Sequence, residues 1–205
     1  VSIPGGIAAV WANQHGELEQ ASFVQPALYA FGWALAEFWR SCGVEPQGVL
    51  GHSLGEYIAA TVAGVMTPEE GVRLVVARGR LTQSLGAPGG MIALVATEEE
   101  ARAKLTAWGF DDELSIAAIN GPRSVVVSGD RETIESFEQK LCEAGVRHKR
   151  LHTTHGFHSA ALDGVLGAFE AEAAKVSFRA PEIRLISNVT GDAIDRRQPV
   201  DARYW

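Results

Sequence analysis

The sequence predicts an α/β protein in two parts, a larger layer built on parallel strands and a small β-α-β-β-α-β subdomain inserted into it. Three observations predict this. Gly51-His52-Ser53-Leu54-Gly55 joins a short apolar run, "GVL", to the helical pattern "LGEYIAATVAGV", a strand–turn–helix junction. Between residues 88 and 151 the apolar rhythm runs strand, helix, strand, strand, helix, strand, which is the ferredoxin-like order. Helix and strand patterns then return, "IRLIS" being the strand, so the larger layer resumes. The predicted division is a large subdomain of residues 1–87 and 152–205, incomplete at both ends, around a small subdomain of residues 88–151.

Each element carries a local signal. Residues 1–25 are weakly patterned and are expected to be loop and short helix. "PALYAFGWALAEFWR" (residues 26–40) begins with Pro26, whose fixed φ suits a first helical turn, and Gly43 ends it. It is apolar on nearly every side, which predicts a helix buried between layers. "GVLGHS" reads as a short buried strand entering a tight turn. Thr67-Pro68-Glu69-Glu70 combines a capping box with Pro at the first helical position, predicting a helix to about Ser84. Gly86-Ala87-Pro88-Gly89-Gly90 reads as a linker. In the small subdomain "MIALVA" is a strand, and Thr97 with Glu100 caps a helix to about Trp108. "LSIAAI" and "SVVVSG" are strands around an Asn120-Gly121-Pro122 turn. Asp130 caps a helix ending near Gly145, and "VRHKRL" closes the set. A helix over about 160–175 leads back to the larger layer.

Composition narrows the classes. With 205 residues the chain can bury a real core. The net charge of −7, with no basic cluster beyond Arg147-His148-Lys149-Arg150, argues against a nucleic-acid surface. Two cysteines, Cys42 and Cys142, make no disulfide framework and fit a reducing, cytoplasmic setting. No apolar run is long enough for a membrane partner. The sequence starts at Val1 without Met and stops at Tyr204-Trp205, so it is expected to be a piece of a longer chain.

The chemistry centres on G-x-S-x-G. Alone the string is weak, but a strand before it and a helix after it describe a nucleophile elbow on an α/β-hydrolase-like sheet. Small residues two positions either side of Ser53 allow the sharp turn. The Leu54 backbone N–H, at the helix N-terminus, would meet an oxyanion. A nucleophilic serine needs a base. His52 is adjacent and expected to serve the turn, and His148 and His152 belong to the last small-subdomain strand. His155 and His158 lie in the loop "HTTHGFHS", where the chain re-enters the large layer. No acidic or Cys ligands lie close by in sequence, so no metal is expected. Arg78 shares a helix face with Leu74, Val75, Leu81 and Thr82. A guanidinium on an apolar stripe needs an anion or a carbonyl fork. It is either a structural contact or a fork for a substrate carboxylate.

"QPALYAFGWALAEFWRSCGVEP", "GHSLGEYIAA", "VARGRLTQ", "AAINGPRSVVVSG", "HGFHS" and "ISNVTGD" together resemble the acyltransferase domain of modular type I polyketide synthases. They are also similar to malonyl-CoA:acyl-carrier-protein transacylase, and the likeness runs from Gln25 onward in family order. The resemblance implies Ser53 as nucleophile, His158 as general base and Arg78 as partner of the extender carboxylate, with Asn120 near the pocket without an assigned role. The base of this family needs no acidic partner. Malonyl-type members tend to carry H-A-F-H and methylmalonyl-type members Y-A-S-H. Here His155-Gly156-Phe157-His158 stands, and Phe157 together with Leu54 implies malonyl. Gly156 replaces the usual alanine and is expected to loosen the loop.

The resemblance further implies an enzyme of polyketide biosynthesis, with malonyl-CoA as substrate and no permanently bound cofactor. It would deliver the malonyl group to the phosphopantetheine of an acyl carrier protein, and ketosynthase would be among its flanking domains. The family's G-Q-G-x-Q strand and the segment after Y-W are not in this sequence. Part of the oxyanion hole and of the carrier dock is therefore expected outside it, and one missing donor costs roughly a hundred- to a thousand-fold in rate. The alternatives are a serine hydrolase or thioesterase, a methylmalonyl-selective acyltransferase, and a non-catalytic structural fragment of a synthase.

Overall fold

The structure, a computed structural model, describes residues 20–86, 88–197 and 200–205. The chain divides into two units: the described residues up to Gln83 together with Gly167–Trp205, and Ser84–Leu166. The sequence-based limits are 87/88 and 151/152.

The first unit opens with α1 (Ala21–Ser41), which starts earlier than predicted and encloses Pro26. Its first N–H, from Ala21, donates to Gln83 Oε1 at 2.9 Å, so the helix start is satisfied by a side chain from another helix. Burial of Ala21, Gln25, Pro26, Ala27 and Tyr29 offsets the hydrogen bond that Pro26 cannot make. The expectation of a helix buried on every side needs correction. Phe31, Phe38 and Trp39 are 54%, 58% and 52% exposed. An all-round apolar pattern does not say which side a neighbour covers. Gly43, at φ 84°, ends the helix as predicted, its N–H donating to Arg40 O at 2.9 Å.

β1 (Gly48–Val49) is shorter than predicted and not fully buried, and Leu50 beyond it is 75% exposed. It pairs in parallel with β6 (Arg184–Leu185), Gly48 opposite Arg184 and Val49 opposite Leu185. α2 (Leu54–Val62) leaves the elbow, and α3 (Pro68–Ser84) follows. The predicted capping box is present: Glu70 N–H donates to Thr67 Oγ1 at 3.2 Å and Thr67 N–H to Glu70 Oε2 at 2.8 Å. Three helices meet where the Tyr29 hydroxyl of α1 bonds Thr61 Oγ1 of α2 at 2.7 Å, beside Gly71 of α3. Tyr29, Tyr57, Leu74 and Val75 form this core, joined by Phe169 and Ala173 of α6 (Asp163–Ala173).

The second unit holds β2 (Gly89–Leu94), α4 (Glu98–Trp108), β3 (Ser115–Gly121), β4 (Ser124–Asp130), α5 (Arg131–Glu143) and β5 (His148–Arg150). The sheet order is β3-β4-β2-β5, antiparallel throughout, the ferredoxin-like arrangement the strand and helix order predicts. Alternate β2 residues, Ile92 and Leu94, pack with Leu105 of α4 and Ile134, Phe137 and Leu141 of α5. Thr97 and Asp130 cap α4 and α5, each accepting from the backbone N–H three residues on. Two local readings change. Gly89 and Gly90 belong to β2, not to a linker, and Asn120-Gly121 completes β3, leaving Pro122-Arg123 as the turn. Among the described residues no helix is long and apolar enough to cross a membrane.

Candidate active site

In the first unit, the chain leaves β1 and reverses at Gly51. A Cβ there would overlap the Gly55 carbonyl, so glycine is needed for the close approach. Ser53 sits at φ 52°, ψ −113°, a strained backbone for a non-glycine residue. The turn is pinned by Gly55 N–H to His52 O at 2.9 Å and Glu56 N–H to Ser53 O at 3.0 Å. The Ser53 N–H donates to Asn188 Oδ1 at 3.2 Å, while Asn188 Nδ2 donates to Gly51 O at 2.5 Å. Leu54 is the first residue of α2, and among the described residues its N–H has no acceptor. That is the condition of a donor available to an oxyanion.

Arg78 reaches the same place from α3. Its Nη1 donates to Gln25 Oε1 at 2.6 Å and its Nη2 to Ser53 Oγ at 3.5 Å. The guanidinium also lies 5.7 Å from the centre of the Tyr57 ring. Burial raises the Tyr57 hydroxyl to about 12, so it stays neutral. Among the described residues no carboxylate lies within ion-pairing distance of Arg78. Its positive charge beside the serine is held by neutral groups. Leu74, Val75 and Thr82, predicted to share its face, are buried.

Sequence reasoning missed three residues here. Gln25 is 4% exposed and orients Arg78 from α1. Asn188 clasps the elbow from the loop after β6. Glu56, 7% exposed in the first turn of α2, accepts the Asn188 N–H at 2.9 Å and the Tyr204 hydroxyl. A carboxylate amid the apolar string "LGEYIAA" was a readable signal of a buried partner. The partners of Gln25 and Asn188 are too distant in sequence to leave one.

In the second unit, "HTTHGFHS" runs over β2 and β4. Gly89 N–H donates to Thr154 O at 3.0 Å, and a Cβ on Gly156 would overlap the Gly129 carbonyl. The expectation that Gly156 loosens the loop is therefore wrong: glycine lets the backbone sit against β4. Ser159 Oγ fastens the loop further by donating to Gly156 O at 2.6 Å. His155 is 7% exposed, with Nδ1 2.8 Å from Thr154 Oγ1. Desolvation lowers its pKa, favouring neutral imidazole. Its ring centre lies 5.7 Å from that of Phe157. Asn120 is exposed near the end of β3. His158 is exposed, at φ 58°. Among the described residues Ser53 and His158 are the non-glycine residues with positive φ. Backbone strain of this kind collects at functional positions.

Ser53, Leu54 and Arg78 thus come together within the first unit, and His155, Phe157 and His158 share one loop of the second.

Comparison with known proteins gives a consistent result. Residues 7–205 match the family model described as the acyl transferase domain. The chain is 41% identical over 197 residues to a type I polyketide synthase of phenolphthiocerol synthesis from Mycobacterium marinum, covering 96% of this chain and 9% of that protein. It is 40% identical over 188 residues to an erythronolide synthase of Saccharopolyspora erythraea, covering 92% of this chain and 5% of that protein. The chain therefore spans less than a tenth of these relatives. Among solved structures, the acyltransferase domain from the second module of the salinomycin polyketide synthase superposes with a TM-score of 0.87 at 39% identity, over 96% of this chain and 45% of that one. Malonyl CoA-acyl carrier protein transacylase from Burkholderia pseudomallei gives 0.84 at 32% identity, over 92% and 66%.

Proposed function

The chain belongs to the acyl transferase domain family, and we propose that it moves a malonyl unit from CoA to the phosphopantetheine thiol of an acyl carrier protein within a modular polyketide synthase. The observation that carries this reading is the Arg78 guanidinium, 3.5 Å from the Ser53 hydroxyl and held by neutral partners. A cation in that position suits an acyl group that keeps a free carboxylate.

The proposed reaction has two halves. The malonyl carboxylate pairs with Arg78 and brings the thioester carbonyl to Ser53. His158, assigned by the "HGFHS" resemblance, accepts the Ser53 proton as Oγ attacks the carbonyl carbon. Charge on the carbonyl oxygen is met by the Leu54 N–H. The C–S bond then breaks, and His158 returns the proton to the departing CoA sulfur. In the second half the pantetheine thiol gives its proton to His158 and attacks the Ser53 ester. The C–O bond breaks and the proton returns to Oγ. Phe157 crowds an α-methyl group, which supports malonyl over methylmalonyl, and His155 serves this selectivity loop as its buried anchor. Asn120 stays a family position without a role.

A serine hydrolase would use the same elbow but leaves Arg78 without a task. The test is thiol release from malonyl-CoA with and without an acyl carrier protein carrying phosphopantetheine. The expected result is transfer to the carrier that exceeds formation of free malonate. Steady malonate release unaffected by the carrier would establish the hydrolase instead.

A further inference from the structure

Asn188 lies far from the elbow in sequence, yet its carboxamide touches it twice. Oδ1 accepts the Ser53 N–H at 3.2 Å and Nδ2 donates to Gly51 O at 2.5 Å. The residue is itself fixed: its backbone N–H donates to Glu56 Oε1 at 2.9 Å. Glu56 also accepts the Tyr204 hydroxyl, which lies 2.7 Å from Ser187 Oγ. Glu56 is almost fully buried and sits on α2, the helix that the elbow starts. The network therefore ties the loop after β6 to both sides of the turn that carries the nucleophile.

We propose that Asn188 is a positioning residue for acyl transfer, a clasp that holds Ser53 in its strained conformation and reserves the Leu54 N–H for the oxyanion. Two features require such a clasp. Ser53 has positive φ, a backbone that relaxes unless its surroundings hold it. Two successive N–H groups also open at the start of α2, and an oxyanion site needs one of them aimed and unfilled. Asn188 occupies the Ser53 N–H, so the Leu54 N–H is the one that remains. Glu56 and Tyr204 act one step further out, by fixing where Asn188 stands. The proposal rests on the acyltransferase reading for its substrate, but not for its geometry.

The test compares the chain with Asn188→Ala and Asn188→Asp. Two reagents report on Ser53: malonyl-CoA, which uses Arg78, and a fluorophosphonate, which reads the serine nucleophile without the carboxylate fork. Both bonds are lost in Asn188→Ala. The isosteric Asn188→Asp puts an oxygen against the Gly51 carbonyl, so a loss there does not come from a packing defect. Each variant should label Ser53 roughly ten- to a hundred-fold more slowly at saturation with both reagents, which is what one or two lost hydrogen bonds amount to. The half-saturating malonyl-CoA concentration should stay near that of the unaltered chain, because Arg78 and Gln25 are untouched. If Asn188→Ala does not fold, Asn188→Asp decides. Unaltered labelling rates in a folded variant overturn the proposal, as does a loss confined to half-saturation. Labelling of the unaltered chain by the phosphonate but not by malonyl-CoA refutes the malonyl reading alone, and the phosphonate series still judges Asn188. No labelling by either reagent overturns both, since there is then no activated serine to position.

Discussion

A guanidinium beside a serine hydroxyl, with an amide oxygen and an aromatic ring as its other neighbours, has the chemistry to take an anion. Replacing Arg78 with Leu should slow malonyl transfer to Ser53 about a hundredfold, the equivalent of ~3 kcal/mol for lost charge-assisted bonds. Acetyl transfer should change far less, so the ratio of malonyl-CoA to acetyl-CoA rates checks it. Phe157→Ser removes a ring from the proposed selectivity loop and should shift the malonyl-to-methylmalonyl ratio toward methylmalonyl by about tenfold, on the scale of one methyl group in a pocket. Competition between the two thioesters measures that ratio. At this scale the sequence was readable where chemistry is local. Ser53 and Leu54 stand in one five-residue motif, and the need of Arg78 for a partner follows from the apolar stripe around it. Its actual partner, Gln25, is 53 positions away, and Asn188 is 135 from Ser53. Contacts across such separations are set by the fold and leave no periodic trace.

Helix starts carry their own signals, so the capping boxes at Thr67 and Thr97 were legible from four residues each. Glu70 adds a pH dependence. The Thr67 N–H bond is the largest influence holding its carboxyl below the ordinary value of 4.5, and the Ser177 N–H and Arg179 add to it against the opposing effect of burial. A carboxylate with a depressed native pKa stabilises the fold above the unfolded value of 4.5. That stabilisation fades as pH falls through the lowered native value. Thermal midpoints should therefore drop in acid, and Glu70→Gln should flatten that part of the profile. The crossing of α1, α2 and α3 is a second point of leverage. A Cβ on Gly71 would collide with the Tyr29 hydroxyl, which is already bonded to Thr61. Gly71→Ala should destabilise the first unit by about 1–3 kcal/mol, as overpacking does, and urea denaturation reads it. Pro26 shows where element reading fails. A proline that suits a first turn points to a start of α1 at residue 26, but burial of the preceding turn carries the helix past it.

Across the whole molecule, the two units were legible because each has its own rhythm, a parallel pair with long helices in one and the β-α-β-β-α-β order in the other. The exposure of Phe31, Phe38 and Trp39 on α1 was not, since a uniformly apolar segment names no outer face. Intact mass after brief exposure to equal malonyl-CoA and methylmalonyl-CoA reads the proposed malonyl ester on Ser53 without an intermediary. One malonyl adduct is expected, absent from Ser53→Ala and slowed in His158→Gln. A methylmalonyl adduct would overturn the role proposed for Phe157, and an adduct that persists in Ser53→Ala, or none at all, would overturn the proposed ester.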